Sequence, residues 1–594
     1  MIFVTPRVDM LRRWLLVMLA LTVALALIAC NPTDFKTKAA QVPQLVDSAL
    51  GEPKTFNYAL SNESPNVFGL LYEGLITEDG LTGELQPALA ESWEIADDKQ
   101  RIVFTMREGL KWSDGEPLTV DDVIFTYNSI YFNEKIPTDI RDILKIGKSR
   151  ILPKVRKLDA RRVEFTIPEP FAPFLRNTGL AILPKHALYK EIVSTDPNGN
   201  PQFLSIWGTD TNPAKIICNG SYKLESYTTS ERVIFRRNPY YWRRDAQGNS
   251  QPYIERLVWS IVENKDTQLL RFRSGDLDIS EPMRPEDFPI LKREEKRGKF
   301  TVHVGGPRPV TTFIAFNLNK GRSNGKPVID PVKSRWFNTL AFRQAVAYAI
   351  DRQSIINNIY RGLGALVNSP VIPQSPYYLS PEQGLKVYNS NSEKSKQLLL
   401  GAGFKYNNRG QLLDADDNRV RFTLITNAGN TIRVAMAAQI MQQLSKIGIQ
   451  VDLNPINFNI LVDKLDNSLN WECLLLGFGG GVEPHSGSNF WLPDGASHLF
   501  NQKPQAGRLP LQGREVTDWE EKIGSLYIQA AQELDEGKRK AIYQETQRIT
   551  QENLPCIYLV NELSMAAVRD RVQGVRYSDV SGALWNIQDL KVLD

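Results

Sequence analysis

Residues that could form disulfides or bind metal ions are scarce in this chain. Its 594 residues include four cysteines and four histidines, and no CxxC pair occurs. Beyond Cys30, the remaining cysteines are Cys218, Cys473 and Cys556, which lie far apart, and three thiols cannot all pair. A chain of this length buries a large core without disulfides. We therefore expect buried free thiols, with one disulfide in an oxidising compartment as the alternative.

Concentrated charge is missing as well. The net charge is +4, and residues 1–29 contribute +2 of it through three arginines and one aspartate, which leaves +2 for the rest. Nucleic-acid binding needs a concentrated basic surface. The composition therefore predicts no nucleic-acid partner.

Motifs of catalysis are largely absent. The chain has no phosphate-binding loop, no HExxH and no zinc cysteine pair. Residues 321–325 match GxSxG, but a nucleophile elbow needs a helix immediately after the serine. Lys326, Pro327 and later Pro331 oppose such a helix. We predict a polar loop there, no enzyme, no catalytic residue and no cofactor, with an envelope hydrolase as the alternative from another class.

The possible metal ligands do not form a recognised set. Glu483, His485 and His498 lie close in sequence, but two histidines thirteen residues apart with one carboxylate are not a known ligand spacing. We expect ordinary loop histidines and no metal site.

A charge-free apolar run lies near the amino terminus, at residues 14–28, directly after Arg12 and Arg13. It is marginal for a membrane span, which needs roughly 20 residues, and its flanks are typical of a secretory signal. The segment LIAC at 27–30 resembles the lipobox of bacterial lipoproteins, which implies cleavage before Cys30 and acylation of its sulfur. Acyl chains bind a membrane through buried methylenes. An uncleaved single-span anchor is the alternative.

The rest of the chain shows a mixed α/β pattern. ARRVEFTI at 160–167 alternates as a strand does, and RVIFRRNPYYW at 232–242 begins as a strand that breaks at Asn238 and Pro239. RFTLITN, ending near Asn427, precedes an amphipathic helix closed by Gly448 and a second alternating strand. Strand, helix and strand at this length predict a parallel βαβ unit.

Helix boundaries are marked by polar caps and glycines. Thr119 is expected to cap a helix with two aspartates in its first turn. Asp351 is expected to cap a helix that stops at Gly362.

A series of segments resembles the solute-binding proteins of the oligopeptide, dipeptide and nickel group, which are the extracytoplasmic receptors of ABC importers. The segments follow the order of that family over nearly all of the chain from Leu45 to Leu590: LLYEGLITEDG, LQPALAESWEI, TMREGLKWSDGEPLTVDDVIFTYNSI, ILPKHAL, NGSYKLESY, RNPYYW, RSGDLDIS, IAFNLNK, FRQAVAYAIDRQSII, SEKSKQLLLGAGF and QQLSKIGIQVDL. Each segment is weak alone, and their shared order carries the resemblance.

The resemblance implies an α/β, two-lobed fold of the periplasmic-binding-protein type II, with an extra subdomain in the first lobe. The expected organisation is a lipoprotein signal peptide (1–29), a tether (30–44), lobe I (45–72), the inserted subdomain (73–214), lobe I again (215–310), lobe II (311–555) and a return to lobe I (556–594). Ligand would lie between lobes that close about a hinge.

The ligand site is expected after the apolar run 473–476, where glycines at a strand end let a ligand approach closely. In peptide receptors of this family an aspartate that pairs with the ligand's amino terminus follows an aromatic residue. Here Phe478 holds the aromatic place, and the aspartate place falls on Gly480 or Gly481. The predicted ligand-binding residues are Ser61, Asn62, Glu63 and Ser64 at one edge of the cleft and Phe478, Gly480, Glu483, Phe490 and Trp491 at the other.

These observations predict an extracytoplasmic solute receptor, lipid-anchored to a cell-envelope membrane, that delivers its ligand to ABC permease subunits. A peptide is the first expectation, and an extended peptide would hydrogen-bond as an added strand. An oligosaccharide or a metal chelate is the alternative, because an aromatic, glycine-widened pocket suits stacking on a sugar. The receptor is expected to be a monomer.

Overall fold

The computed structural model describes residues 42–61, 67–138, 140–147, 149–504 and 510–593. The predicted signal peptide and the lipidation site Cys30 lie outside these described residues. No helix within them is long and apolar enough to cross a bilayer.

The first part of the described chain contains an edge strand and a small antiparallel sheet. Its strands are β1 (Gln44–Ala49), β2 (Ile76–Glu78), β3 (Leu85–Pro87), β4 (Ala90–Ile95), β5 (Arg101–Met106), β6 (Lys154–Lys157) and β7 (Arg162–Thr166), and its helices are α1 (Phe68–Leu71), α2 (Val120–Phe125), α3 (Ile140–Leu144), α4 (Phe174–Asn177) and α5 (Lys185–Val193). Strands β4, β5, β7 and β6 form one antiparallel sheet in that order. Val163 and Phe165 of β7 are fully buried, which confirms the strand predicted at 160–167.

The second part returns to β1. It contains β8 (Tyr222–Thr228), β9 (Arg232–Arg237), β10 (Arg256–Ile261), β11 (Ile279–Ser280), β12 (Phe300–Pro307), α6 (Lys265–Ser274) and α7 (Phe288–Gly298). β1 pairs in parallel with β10, and the sheet order is β1-β10-β9-β8. β9 ends at Arg237, directly before the predicted break at Asn238.

The third part of the described chain contains a five-stranded sheet, several short strands outside that sheet, and helices that cover the sheet. Its strands are β13 (Val310–Phe316), β14 (Arg322–Ser323), β15 (Lys326–Pro327), β16 (Gly364–Leu366), β17 (Lys405–Tyr406), β18 (Leu412–Leu413), β19 (Arg421–Asn427), β20 (Gln450–Ile456), β21 (Cys473–Gly479) and β22 (Cys556–Tyr558). Its helices are α8 (Pro331–Asn338), α9 (Leu340–Ala349), α10 (Arg352–Asn358), α11 (Ser392–Gly401), α12 (Thr431–Ser445), α13 (Phe458–Asp463), α14 (Ser488–Trp491), α15 (Asp518–Gln532) and α16 (Glu536–Asn553). The sheet order is β20-β19-β21-β13-β22, and β19 pairs in parallel with β20 across α12, so the βαβ prediction is confirmed.

The chain crosses between the two halves twice, at neighbouring strands. β12 continues into β13, and β22 continues into β23 (Val560–Arg569), which is followed by β24 (Val572–Gln573) and β25 (Lys591–Val592). β23 pairs with β12 and with β11, while β22 pairs with β13. An ion pair between Arg308 and Glu562 joins the two crossings. The domain boundaries stay predictions; β22, directly after the expected boundary at 555, belongs to the second-half sheet.

Two large buried clusters divide the apolar residues. One is built mainly from residues before 260 and the carboxyl-terminal segment, and the other from residues 313–560. A smaller cluster lies around Phe272 and Phe300. Two separate cores joined by paired crossings make a mixed α/β fold of two lobes.

The predicted caps and stops are mostly where the sequence placed them. Thr119 caps α2 in a reciprocal capping box with Asp122, and Asp351 accepts a hydrogen bond from the backbone N–H of Ser354. The α10 helix ends at Asn358, four residues before the predicted stop. The reason is local: the N–H of Gly362, at a φ of 83°, reaches back to the carbonyl of Ile356 and closes a turn beyond the helix.

Cys218, Cys473 and Cys556 are buried free thiols. Burial raises the pKa of each thiol, so all three are protonated at neutral pH.

Candidate ligand site

The strand β21 runs from a buried interior to an exposed glycine end. Cys473 to Leu476 are buried, whereas Phe478 is 37% exposed. β21 is parallel to β19, so their carboxyl ends meet at one edge of the sheet. Gly480 donates its N–H to the carbonyl of Pro309 at 2.7 Å, and a Cβ added at Gly480 would lie 3.0 Å from a methyl of Ile372. This close approach explains the glycine.

A cavity of about 290 Å³ opens beside this strand end. We call it the aromatic cavity, because the side chains that shape it are mostly rings; its lining includes Thr311, Phe313, Val371, Phe478, Glu483, Phe490, Trp491, Tyr527, Cys556 and Tyr558, with Gly479, Gly480 and Gly481 at its mouth. The predicted residues Phe478, Gly480, Glu483, Phe490 and Trp491 are therefore brought together here. Their role in binding stays a prediction.

The rings of the aromatic cavity contact one another in tilted, edge-to-face and stacked arrangements. Phe478 lies 5.7 Å from Phe313 and 5.6 Å from Phe490, measured between ring centroids. Trp491 is nearly parallel to Tyr527 at 6.2 Å. Such aromatic pairs contribute stabilisation beyond the burial of apolar area alone, so these contacts help to hold the rings that line the cavity in position.

The carboxylate of Glu483 forms an ion pair with the buried guanidinium of Arg539. Its carboxylate lies 2.8 Å from the guanidinium of Arg539, and both side chains are less than a tenth exposed. It also accepts the N–H of His485 at 3.0 Å. Burial alone would lower the pKa of Arg539, but the charge of Glu483 and two tyrosines outweigh burial and raise that pKa. This ion pair therefore links the loop after β21 to α16.

His498 holds the next segment in place. Its ring nitrogens lie 2.8 Å from the carbonyl oxygen of Phe490 and 3.0 Å from a carboxylate oxygen of Glu520. Burial raises the pKa of Glu520, but hydrogen bonds from His498, Thr517 and Asn501 outweigh burial and lower it overall. This histidine lies in a loop, as the sequence predicted, and its side chain is fully buried, so it positions the Phe490 backbone.

The aromatic cavity adjoins a second one of about 530 Å³ that lies between the two halves of the molecule. Both are lined by Glu483, Ser486 and Asn489, and the second is also lined by Phe171 and Arg150. The rings of Phe171 and His485 meet edge to face at 4.9 Å, and the N–H of Ala172 donates to the carbonyl of Ala531 at 2.7 Å. The site therefore faces a cleft between the lobes.

His485 is neutral at this contact. Burial first, and then the charges of Arg539 and Arg150, lower its pKa to about 3. A charged imidazole against Phe171 would cost desolvation energy, so the low pKa fits the apolar contact.

Of the residues predicted at the other edge of the cleft, the structure describes only Ser61. Ser61 is half-buried and donates its N–H to the carbonyl of Tyr58 at 3.4 Å. Asn62, Glu63 and Ser64 lie outside the described residues.

A family model described as "Bacterial extracellular solute-binding proteins, family 5 Middle" matches residues 84–497. The chain belongs to this family. A relative named as a probable ABC transporter-binding protein of Deinococcus radiodurans is 31% identical over 540 residues, which cover 88% of this chain and 87% of that protein.

Three solved structures of the same fold show what other proteins of this shape hold. They are the oligopeptide-binding protein AppA of Bacillus subtilis with a nonapeptide (22% identity, 93% of this chain and 99% of that one, TM-score 0.70), NikA of Brucella suis with Fe(III)-EDTA (20%, 93% and 100%, 0.74) and MelB of Agrobacterium fabrum with stachyose (20%, 93% and 85%, 0.74). At these identities the likeness concerns the fold, which confirms the predicted two-lobed α/β architecture.

The GxSxG match at residues 321–325 overlaps the β14–β15 hairpin, in which Arg322 and Ser323 pair with Lys326 and Pro327. Asn324 and Gly325 have positive φ, and α8 begins only at Pro331, capped by Asp330, so no helix follows the serine directly. Within the described residues no three His, Cys, Asp or Glu side chains are grouped to hold a metal ion.

Several site residues escaped the sequence analysis. Phe313, Tyr527, Tyr558 and Arg539 come from elements far from 471–495 in the chain. Their apolar or helical spacing gave no signal, because a ring that packs in a core and a ring that lines a cavity have the same pattern.

Proposed function

We propose that this family member is a receptor that captures a peptide between its lobes and delivers it unaltered to the permease subunits of an ABC importer. The observation that carries the proposal is the aromatic cavity, which opens at the glycine end of β21 into the cleft between the lobes. Clefts of a few hundred Å³ with apolar walls and few polar groups are typical ligand sites. The protein would act as a monomer.

A peptide is favoured by the backbone at the cavity mouth. Gly479 has no atom within 4 Å of an added Cβ, so an extended backbone has room to approach there. The nonapeptide held by AppA, and relatives that are named as oligopeptide-binding proteins, support this ligand class. Recognition of the amino terminus by an aspartate is not part of the proposal, since glycines hold that place and Glu483 is paired with Arg539.

An oligosaccharide or a metal chelate is the second candidate. The partly exposed face of Phe478, next to Phe490, is suited to stack on a sugar ring. The complexes of MelB and NikA show that the fold accommodates both ligand classes.

The proposed location is the outer surface of a cell-envelope membrane, with Cys30 acylated. The lipobox-like segment and the membership of an extracellular family support it. Globomycin treatment of the producing cells tests it: we expect accumulation of a precursor larger by the signal peptide, whereas an unchanged mass would contradict the anchor.

Native mass spectrometry of protein purified from its own envelope tests the ligand class. We expect a co-purified peptide, released on denaturation with the mass it had when bound. A saccharide or chelate mass would select the second candidate. Conversion of the released ligand on incubation with fresh protein would point to an enzyme instead. If nothing co-purifies and no peptide binds in calorimetry, the peptide proposal is wrong.

A further inference from the structure

The first crossing between the lobes contains two consecutive glycines, Gly305 and Gly306. They lie near the end of β12, where the pairing with β23 shifts its register between Val304 and Pro307. Glycine lacks the Cβ that restricts backbone torsions, and irregular pairing leaves a strand less constrained than a regular ladder does. Hinges between lobes are formed by a few such residues that absorb the change in torsion. The glycine pair is therefore the place where this crossing is best able to bend.

A side chain from the carboxyl-terminal segment, which belongs to the first core, contacts the backbone at this irregular point. The carboxylate of Asp579 accepts the N–H of Gly306 at 3.2 Å. A Cβ added to Gly305 would lie 2.8 Å from the Cβ of Asp579, and one added to Gly306 would lie 2.5 Å from its carboxylate. The two glycines thus leave the space that Asp579 needs to reach the crossing.

A side chain from the second lobe reaches the same point. The amide nitrogen of Gln374 donates to the carbonyl of Pro307 at 2.7 Å and to the carboxylate of Asp579 at 3.1 Å. Val367 and Tyr377, on either side of Gln374 in the chain, belong to the second core. We call Asp579 and Gln374 the hinge clamp, because together they join the two cores across the glycine pair.

The amide of Gln374 is only half satisfied in this arrangement. Both of its contacts are made by the nitrogen, since a carbonyl and a carboxylate are acceptors. Its oxygen is buried and has no hydrogen-bond partner among the residues that the structure describes. A buried acceptor without a donor costs free energy. The clamped arrangement is therefore not the best one for Gln374, which is expected of a contact that forms and breaks as the lobes move.

The hinge clamp is one residue away from a contact with the loop that follows β21. The hydroxyl of Ser375, directly after Gln374, donates to the carbonyl of Val482 at 2.5 Å. In the same loop, Gly480 donates its N–H to the carbonyl of Pro309, just beyond the glycine pair, at 2.7 Å. Consecutive residues of one segment therefore contact the hinge and the loop at the mouth of the aromatic cavity.

We propose that Asp579 and Gln374 are positioning residues that hold the first crossing at one angle and tie that angle to the loop after β21. The proposal rests on the proposed function for the role of this loop in ligand binding, whereas the clamp itself joins the lobes whatever the ligand is. A ligand that displaces the loop would then change the angle between the lobes through Ser375 and Gln374, to the extent that it favours one angle over another.

Small-angle scattering of the ligand-free full chain tests the clamp. We expect a larger radius of gyration for Gln374→Ala and for Asp579→Ala than for the wild type, because a released crossing lets the lobes separate. Asp579→Asn keeps an oxygen acceptor and should match the wild type. The matched control is Asp570→Ala: Asp570 is exposed and accepts the hydroxyl of Thr301 at 3.1 Å, at the opposite end of β12, so the radius should not change. Thermal unfolding verifies that each variant is folded.

Hydrogen exchange of the same ligand-free proteins tests the link to the loop. Exchange of the amides of residues 480–482 should be about two- to tenfold faster in Gln374→Ala than in the wild type, as the loss of roughly one net hydrogen bond predicts. Exchange within α12, which lies away from the hinge, should stay the same. Asp570→Ala should exchange like the wild type at both places.

Three results would overturn the inference: an unchanged radius in both alanine variants of the clamp, an equal increase in Asp570→Ala, or unchanged exchange at 480–482 in Gln374→Ala. If Asp579→Ala does not fold, Gln374→Ala decides alone, since it removes a neutral, half-buried side chain. Neither measurement uses a ligand. A failure to find any bound peptide would therefore defeat the proposed function and leave the hinge clamp standing.

Discussion

At the scale of single residues, side chains of the same chemical type have different roles around the candidate site. Glu483 and Arg539 form a buried ion pair that links a loop to α16, whereas Arg433 has no carboxylate within 4 Å among the described residues and contacts the amide oxygen of Asn427. Phe478 is partly exposed at the cavity mouth, whereas Trp491 is buried in its wall. The role of each side chain depends on its contacts and on how far it is buried.

Removing Arg539 should destabilise the protein strongly. Arg539→Met leaves the Glu483 carboxylate buried without its cation, which typically lowers the free energy of unfolding by about 3–5 kcal/mol. Urea unfolding measures it. Arg101→Met is the control, since Arg101 is 54% exposed and pairs with Asp98, which is 46% exposed, and such pairs contribute less than about 1 kcal/mol. Equal losses in both variants would contradict the assignment, and the double variant Glu483→Gln/Arg539→Met should be more stable than Arg539→Met alone.

Two ring deletions should separate stability from binding. Trp491→Ala removes a ring that is 4% exposed and should cost about 3–5 kcal/mol of unfolding free energy. Phe478→Ala should cost much less, because that ring is 37% exposed, but should weaken ligand binding about tenfold by removing an apolar wall. Thermal unfolding and calorimetry with the co-purified ligand report the two effects; unchanged affinity in Phe478→Ala would remove that residue from the site.

At the scale of elements, the site depends on how helices end and begin near β21. The α15 helix starts with a capping box in which Glu520 bonds back to Thr517, and the same carboxylate accepts hydrogen bonds from His498 and Asn501. Through His498 this helix start reaches the carbonyl of Phe490, the last residue but one of α14. A helix cap thereby sets the position of a cavity ring.

The contribution of Glu520 should depend on pH in a defined direction. Its folded pKa lies below the ordinary value of 4.5, so its stabilising effect is complete above about 4.5 and is lost as pH falls through the folded pKa. Glu520→Gln should therefore be clearly less stable than the wild type at pH 7. The difference in urea midpoint should shrink as pH falls below about 4.5. A difference that stays constant from pH 7 to pH 3 would show that the charge of Glu520 is not what matters.

At the scale of the whole molecule, the described residues join the two large cores through the neighbouring crossings and through contacts across the cleft. The crossings are extended strands held side by side, and the cleft contacts include Phe171 against His485 and Ala172 with Ala531. Two rigid bodies on a narrow connection are the usual geometry for hinge closure.

Ligand should make the molecule more compact in solution. Small-angle scattering of protein stripped of ligand and then saturated with the co-purified ligand should show a smaller radius of gyration in the saturated state, because ligand that contacts both lobes favours the closed form. Phe478→Ala at the same ligand concentration should shift less. An identical scattering profile with and without ligand, under conditions where calorimetry shows saturation, would exclude closure on binding.

Much of the architecture could be predicted from the sequence because its signals are local. Alternation marked the strand at 160–167, helical spacing with Gly448 marked the βαβ unit, and Thr119 and Asp351 marked helix starts. The ordered family segments predicted two lobes, and the glycine run predicted where β21 would be approached closely. Each of these features depends on backbone preference or periodicity over a few residues. Such local signals are present in the sequence whatever the rest of the fold is.

Only the tertiary structure decided which residues that lie far apart in the sequence come into contact. Nothing in the sequence pairs Glu483 with Arg539, places His498 against Glu520, or sets the guanidinium of Arg433 beside Gly477. These contacts join residues from 22 to 56 positions apart, and whether a charge is balanced or a ring lines a cavity depends on what the fold brings beside it. Charge balance and cavity shape are properties of three-dimensional packing, so they appear only once the strands and helices are assembled.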